Sequence, residues 1–354
     1  MHPLDDPNTY TRLDPSGMLE RIRDLPAQCR QAWSQAASLA LPPEYRQADQ
    51  VVVLGMGGSA IGGDLLRDAV AHECPVPVRV LRDYTLPADV GAKALVIGSS
   101  YSGETEETLA AFQEASRRGC RLAVVAGGGR LQTEAQNRGL PLLSIQYQGE
   151  PRAVLGYSFF LLLGLLHRLG LVGDKSKELE DMVRVLESLN LRLRPEVPLA
   201  LNPAKELASK IQGHLVVVYG AGFLEGVARR WKGQMNENAK SWAFFEVFPE
   251  LNHNAVVGYD LPRNLAERIL VVLLHSDLLH PRIKRRYRIT QEIMERKGIS
   301  FQVVPSEGNT LLGHMMSSVI IADHVSYYLA LLNGVDPSPV EVISFLKERL
   351  KVID

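Results

Sequence analysis

Three hydroxyl side chains, Ser100, Ser102 and Thr105, follow directly on the apolar run Ala94-Leu-Val-Ile-Gly and precede a helical pattern. A strand that runs through a hydroxyl-lined loop into a helix sets those groups around the helix N-terminus. There, unpaired backbone N–H groups and the positive end of the helix dipole attract an anion. No lysine follows Gly103, so the loop lacks the Gly-Lys-Ser/Thr pattern that holds a nucleoside triphosphate and its magnesium. Hydroxyls and amides without a metal suit a single phosphate monoester. Simple capping by serine and threonine would produce the same local sequence. This segment alone leaves both readings open.

A second group of chemically capable residues lies in Gln234-Met-Asn-Glu237-Asn-Ala-Lys240 and Phe248-Pro-Glu-Leu-Asn-His253-Asn254. Glu237 is expected toward the end of a helix beginning near Glu225. Asn236 and Asn238 beside it are poor helix formers, which predicts side chains engaged locally. His253 follows Pro249 on an expected loop, a common setting for residues that act chemically. A carboxylate and an imidazole make an acid–base pair able to move protons on a carbon skeleton. A solvated helix face for Glu237 and a loop-bonded histidine for His253 are the simpler explanations. Only an anion pocket nearby favours the chemical one.

Gly55-Met-Gly57-Gly58-Ser59-Ala60 satisfies G-x-G-x-x-A, and Asp83 sits where a ribose-binding acid would follow. A dinucleotide oxidoreductase is therefore a rival. Short glycine patterns arise at any strand-to-helix turn, however, and this one leaves the hydroxyl loop unexplained. Neighbouring βα loops of an open sheet converge on one crevice. Gly57, Gly58 and Ser59 are then expected to face Ser100, Ser102 and Thr105 across one small anion, which favours a sugar phosphate. The nine histidines show no His-x-His or His-Glu-x-x-His spacing. His275 and His280 lack a nearby carboxylate triad, and His314 and His324 lie on an apolar helical stretch where packing is the commoner role. Catalysis without metal or cofactor is expected.

Such loops need parallel sheets to position them. Residues 50–66 read strand, glycine turn, helix, and residues 214–231 read the same way. A helix over 105–119 and a strand over 121–126 have counterparts at 281–298 and 300–305. Apolar helices over 154–169 and 315–332 come near the end of each half. Unpunctuated β-branched runs fit parallel strands covered on both faces. The expected fold class is α/β, with two tandem doubly wound, flavodoxin-like halves. Met18, Leu19, Ile22 and Leu25 recur at helical spacing. The expected organisation is a helical extension over 1–45, a first half over 46–192 and a second over 193–354, with 193–203 as linker.

The 354 residues suffice for two such cores. A formal net charge of −1 and the lack of a long basic run argue against nucleic-acid binding. Cys29, Cys74 and Cys120 make no metal or redox spacing; they fit a reducing compartment and are expected to be small buried side chains. The polar, acidic N-terminus does not read as a signal peptide, and the apolar stretch 153–166 is too short to cross a bilayer. A cytoplasmic protein without membrane association is expected.

Taken together, residues 55–63, residues 99–109, Pro151-Arg152-Ala153, Asn236-Glu-Asn238 and residues 248–254 closely resemble the bifunctional phosphoglucose/phosphomannose isomerase family, built from two sugar-isomerase (SIS) domains. The resemblance extends from Asp14-Pro to Asp336-Pro-Ser-Pro-Val and Phe345-Leu-Lys347. It implies cofactor-free interconversion of an aldose 6-phosphate and fructose 6-phosphate. It also implies roles: Gly57, Gly58, Ser59, Ser100, Ser102 and Thr105 as phosphate and substrate contacts, Arg152 as stabiliser of developing negative charge, Glu237 as the base. His253 would open the ring from the neighbouring subunit of a homodimer, assisted by Lys347. A silent sugar-phosphate-binding protein would share the pocket but would not need Arg152, Glu237 and His253 together. Two positions depart from the family, Glu104 for its usual asparagine and Ala255 for a frequent glutamate. Glu104 is expected to repel a phosphate unless its charge is engaged elsewhere.

Overall fold

The two β-branched repeats become two parallel sheets. The computed structural model describes residues 2–262 and 264–350. Helices α1 (Pro7–Leu13), α2 (Met18–Arg23) and α3 (Leu25–Ala37) come first, then β1 (Val51–Leu54), α4 (Gly57–Val70), β2 (Val78–Leu81), β3 (Leu95–Ser100), α5 (Glu106–Arg117), β4 (Arg121–Ala126), α6 (Gly129–Asn137) and β5 (Leu142–Ser144). Helices α7 (Leu155–Arg168), α8 (Ser176–Arg192) and α9 (Pro203–Ile211) lead to the second unit. This comprises β6 (Leu215–Ala221), α10 (Glu225–Glu237), β7 (Ala243–Phe248), β8 (Ile269–His275), α11 (Pro281–Lys297), β9 (Ser300–Pro305), α12 (Leu311–Leu332) and α13 (Glu341–Leu350). The strand orders are β2-β1-β3-β4-β5 and β7-β6-β8-β9, every pairing parallel. Both follow the flavodoxin-like order, whose ligand crevice opens where the direction of winding reverses. In the first sheet that point lies between β1 and β3, the strands that feed the glycine turn and the hydroxyl loop.

Burial explains the continuous apolar runs. All four residues of β1 and all six of β3 are buried, as a strand covered on both faces requires. From Leu155 to Leu166 every residue of α7 is buried, packed on α3 and α4. Helix α12 begins at Leu311, four residues ahead of the expected start, because Thr310 caps it by accepting from the Gly313 N–H. It is long and apolar enough to cross a membrane, but its most apolar window is 89% buried within the fold, the position of a core helix.

The two histidines of α12 are packed, as their apolar context suggests. His314 shares hydrogen bonds with Ser276 Oγ (2.8 Å) and the Gly308 carbonyl (2.9 Å). His324 meets Asn190 Oδ1 at 3.2 Å, and burial pushes its imidazole down to about 3. Cys29 and Cys120 are buried as expected, whereas Cys74 is only half-buried.

Helices α4 and α10 join the halves and run in opposite directions. The start of α10 meets the later turns of α4, where Gly226 N–H donates to Asp68 (2.7 Å) and Arg67 pairs with Glu225 (3.2 Å). The far end of α10 therefore returns toward the first turn of α4. This brings the carboxyl edge of the first sheet and the amino edge of the second to the same side.

Candidate active site

The two crevice loops are tied together by the groups predicted to bind an anion. Ser59 Oγ accepts from the Tyr101 N–H (3.2 Å), and Ser99 Oγ donates to the Ser59 carbonyl (3.4 Å). Ser100 Oγ and Thr105 Oγ1 are 2.9 Å apart. Ser100 Oγ also accepts from Gly103 N–H (3.1 Å), and Ser102 Oγ accepts from Glu104 N–H (3.2 Å). Thr105 is the N-cap residue of α5, yet its side chain makes no capping bond. Gly57, at the start of α4, is exposed, and no side chain caps that helix either. Two helix N-termini thus meet at one crevice with uncapped amides, the arrangement suited to a small anion. The hydroxyl loop turns at Gly103, whose φ is +67°; a Cβ there would lie 1.9 Å from the Gly128 carbonyl oxygen, so only glycine fits.

Glu104 is compensated. Its carboxylate accepts from the Arg130 backbone N–H and from Arg130 Nε, each at 2.7 Å. The Arg130 guanidinium holds the Glu104 carboxyl below the usual carboxylate range. The pair neutralises the extra charge on the far side of the turn, so the repulsion expected from the residue type is countered by a partner 26 positions away.

From the crevice the path leads directly to Arg152. A Cβ on Gly58 would lie 2.5 Å from the Pro151 carbonyl oxygen and 3.0 Å from the Arg152 nitrogen. The first turn of α4 therefore rests on the backbone that carries this arginine. Gly58→Ala is expected to cost about 1–3 kcal/mol through overpacking, read as a lowered Tm, and to reduce kcat by displacing Arg152. An unchanged Tm and kcat would contradict the tight fit.

Arg152 is 1% exposed, and its fork is almost fully specified. Nε donates to Asn238 Oδ1 (2.7 Å), and Nη2 donates to the carbonyls of Pro337 and Ser338 (2.7 Å each). Nη1 stands 3.6 Å from Glu237 Oε2, a charge contact too long for a hydrogen bond. Burial pulls the guanidinium below the usual arginine range, and Glu237 is the strongest of the charges opposing that. The backbone of Arg152 is held too, since its carbonyl accepts from Arg230 Nη2 (2.9 Å). Arg230 pairs with the buried Asp323 (2.9 Å), which also accepts from Gln234 Nε2 (2.7 Å). Burial raises the Asp323 carboxyl while Arg230 works against that rise.

Glu237 is the last residue of α10, in line with its expected place toward the end of a helix beginning near Glu225, and its side chain is 29% exposed. The asparagines flanking it are engaged locally. Asn236 Nδ2 donates to the Ser241 carbonyl (2.8 Å), and Asn238 bridges Arg152 and Ser326 Oγ (3.1 Å). A carboxylate next to a fixed guanidinium can take a proton from carbon while the cation stabilises the charge left on an adjacent oxygen.

Among the described residues, no hydrogen bond or ion pair joins the remaining two predicted residues to Arg152 or Glu237. His253 ends the short turn Glu250–His253 beyond the carboxyl end of β7 and is exposed. Glu237 lies just before the amino end of β7, whose six residues separate the two by about 20 Å. Lys347 lies on α13, which is exposed along its whole length. The Arg230–Asp323 pair and the Asn238 bridge are not legible in the sequence; their partners are about 90 residues apart and carry no spacing signal.

Residues 200–350 match the family model of the bacterial phospho-glucose isomerase C-terminal SIS domain. Over 337 residues the chain is 42% identical to the bifunctional phosphoglucose/phosphomannose isomerase of Caldicellulosiruptor bescii, covering 95% of this chain and 99% of that one. The protein of the same name from Aquifex aeolicus is 37% identical over 303 residues, 85% of this chain and 90% of its own. Among solved structures, a glucose-6-phosphate isomerase like protein from Thermus thermophilus shares the fold, with a TM-score of 0.63 over 97% of this chain and all of that one at 21% identity.

Proposed function

The chain belongs to the bifunctional phosphoglucose/phosphomannose isomerase family, and we propose that it interconverts glucose 6-phosphate, and mannose 6-phosphate, with fructose 6-phosphate. The observation that carries this reading is the 3.6 Å contact of Glu237 with buried Arg152, on a segment resting against Gly58 of the anion crevice. In this reading Gly57, Gly58, Ser59, Ser100, Ser102 and Thr105 hold the phosphate. Glu237 takes the proton from C2 of the open-chain aldose and returns it at C1, while the hydroxyl proton passes from O2 to O1. Arg152 supports the enediolate oxygen between the two transfers. His253 and Lys347 open the ring, His253 reaching across the interface of a cytoplasmic homodimer. The phosphate end belongs to a first SIS domain over 46–192 and the acid–base segment to a second over 193–354. Bond rotation in the enediol intermediate lets one base serve both C2 epimers.

A coupled assay on fructose 6-phosphate with EDTA present, measuring glucose and mannose products separately, tests the proposal. Both epimers are expected; no turnover of any hexose 6-phosphate would refute it. The phosphate lies remote from the bonds that change, so its contacts are uniform-binding contacts. Ser100→Ala is therefore expected to raise KM by about tenfold with kcat nearly unchanged. A fall confined to kcat would contradict the phosphate role.

A further inference from the structure

Among the described residues, Lys240 is the one residue other than glycine with a positive φ, 54°. Left-handed backbone is disfavoured for a residue with a Cβ and persists where surrounding structure imposes it, often at functional sites. The turn lies three residues past Glu237 and sends the lysine side chain back over the helix end. Lys240 Nζ donates to the Glu237 carbonyl (2.5 Å) and to the Pro337 carbonyl (3.1 Å). That same Pro337 carbonyl accepts from Arg152 Nη2 at 2.7 Å. Two cations thus converge on one oxygen beside the proposed base. The charged groups around the ammonium are Arg152, Glu237, Glu150 and Asp336. Partial burial, then repulsion from Arg152, hold it below the ordinary lysine range.

A helix cap alone does not require this arrangement. Glycine occupies left-handed C-terminal positions without strain, and the Lys240 side chain, exposed as a whole, still turns its ammonium onto two carbonyls beside the buried Arg152 guanidinium. What the strained turn achieves is a tie between the end of α10, where Glu237 stands, and the 337–338 segment that holds Arg152.

We propose that Lys240 is a positioning residue for the isomerisation, a strained cation that fixes Glu237 relative to Arg152. The proposal rests on the functional reading above. Its effect is geometric: the tie sets the distance from base to oxyanion stabiliser. Lys240→Gly and Lys240→Asn both tolerate left-handed backbone and remove the tie, whereas Lys240→Arg keeps a cation of similar reach. For the glycine and asparagine variants, an unchanged or raised Tm is expected together with a kcat lowered by about tenfold or more. KM is expected to change less than kcat. Lys240→Arg is expected to recover most of the kcat. If wild type turns over no hexose 6-phosphate, the functional reading fails and takes this proposal with it. If wild type is active, the Lys240 role alone is overturned by either of two results: wild-type kcat in Lys240→Gly and Lys240→Asn, or a loss in Lys240→Arg as large as theirs.

Discussion

Glu237→Gln is expected to lower kcat by about a thousandfold or more while the protein still binds hexose 6-phosphate. Glutamine keeps the shape of the side chain and removes the basicity that the C2–H abstraction needs. The fold should tolerate the exchange for a specific reason. Arg152 retains its bonds to Asn238, Pro337 and Ser338, so only its longer 3.6 Å charge contact is lost. Glu237 is partly exposed, which further limits the cost to stability. Binding measured by calorimetry should remain within a fewfold of wild type, since the phosphate contacts are remote from this change. Near-normal turnover in a folded Glu237→Gln protein would remove the carboxylate from the mechanism. Loss of binding together with turnover would reassign it to ground-state recognition.

The expectation depends on features of unequal legibility. The strand–glycine–helix repeats are readable because a parallel strand covered on both faces must be apolar throughout, and β1 and β3 are buried along their whole length. The crevice loops are readable because the winding order places them together, and Ser59 bonded to Tyr101 N–H shows them joined. The edge strand β7 is less visible: only its two end residues are buried, the four between alternate exposed and half-buried, and it leads into Phe248-Pro249, which reads as loop. Glu104 shows the limit of judging charge by residue type. Its partner Arg130 arrives only because the β4–α6 turn folds against the hydroxyl loop. Asn236 and Asn238 can be recognised as locally engaged from their poor helix propensity. That Asn238 would orient an arginine 86 positions earlier depends on the halves packing through α4 and α10. Lys240 closes the segment 234–240, but no periodicity or spacing there foretells its left-handed backbone, which exists only once the helix end is built.

Mixing two inactive variants, Glu237→Gln and His253→Ala, is expected to restore about one quarter of wild-type activity after subunit exchange. The value follows from the placement of the two residues. Helix α10 returns Glu237 to the amino edge of the second sheet, and β7 carries the chain away, so His253 lies at the opposite edge about 20 Å off. No side-chain rotation spans that distance within one chain. A second copy related by a two-fold axis can supply its own His253 to the first copy's Glu237. Random exchange makes half of the dimers mixed, and each mixed dimer has one site with both native residues and one site with neither. Apolar side chains stand exposed beside and on β7, at Trp242 and Phe244, and on α13, the helix of Lys347, at Val342, Phe345 and Leu346. These would be covered in the dimer, which buries apolar surface that a lone chain leaves in water. Sedimentation should therefore give a dimer for wild type and for both variants, so that any recovery on mixing reports complementation. Parental activities that merely average after verified exchange would place His253 outside the partner's site and require the ring-opening group to be sought within the same chain.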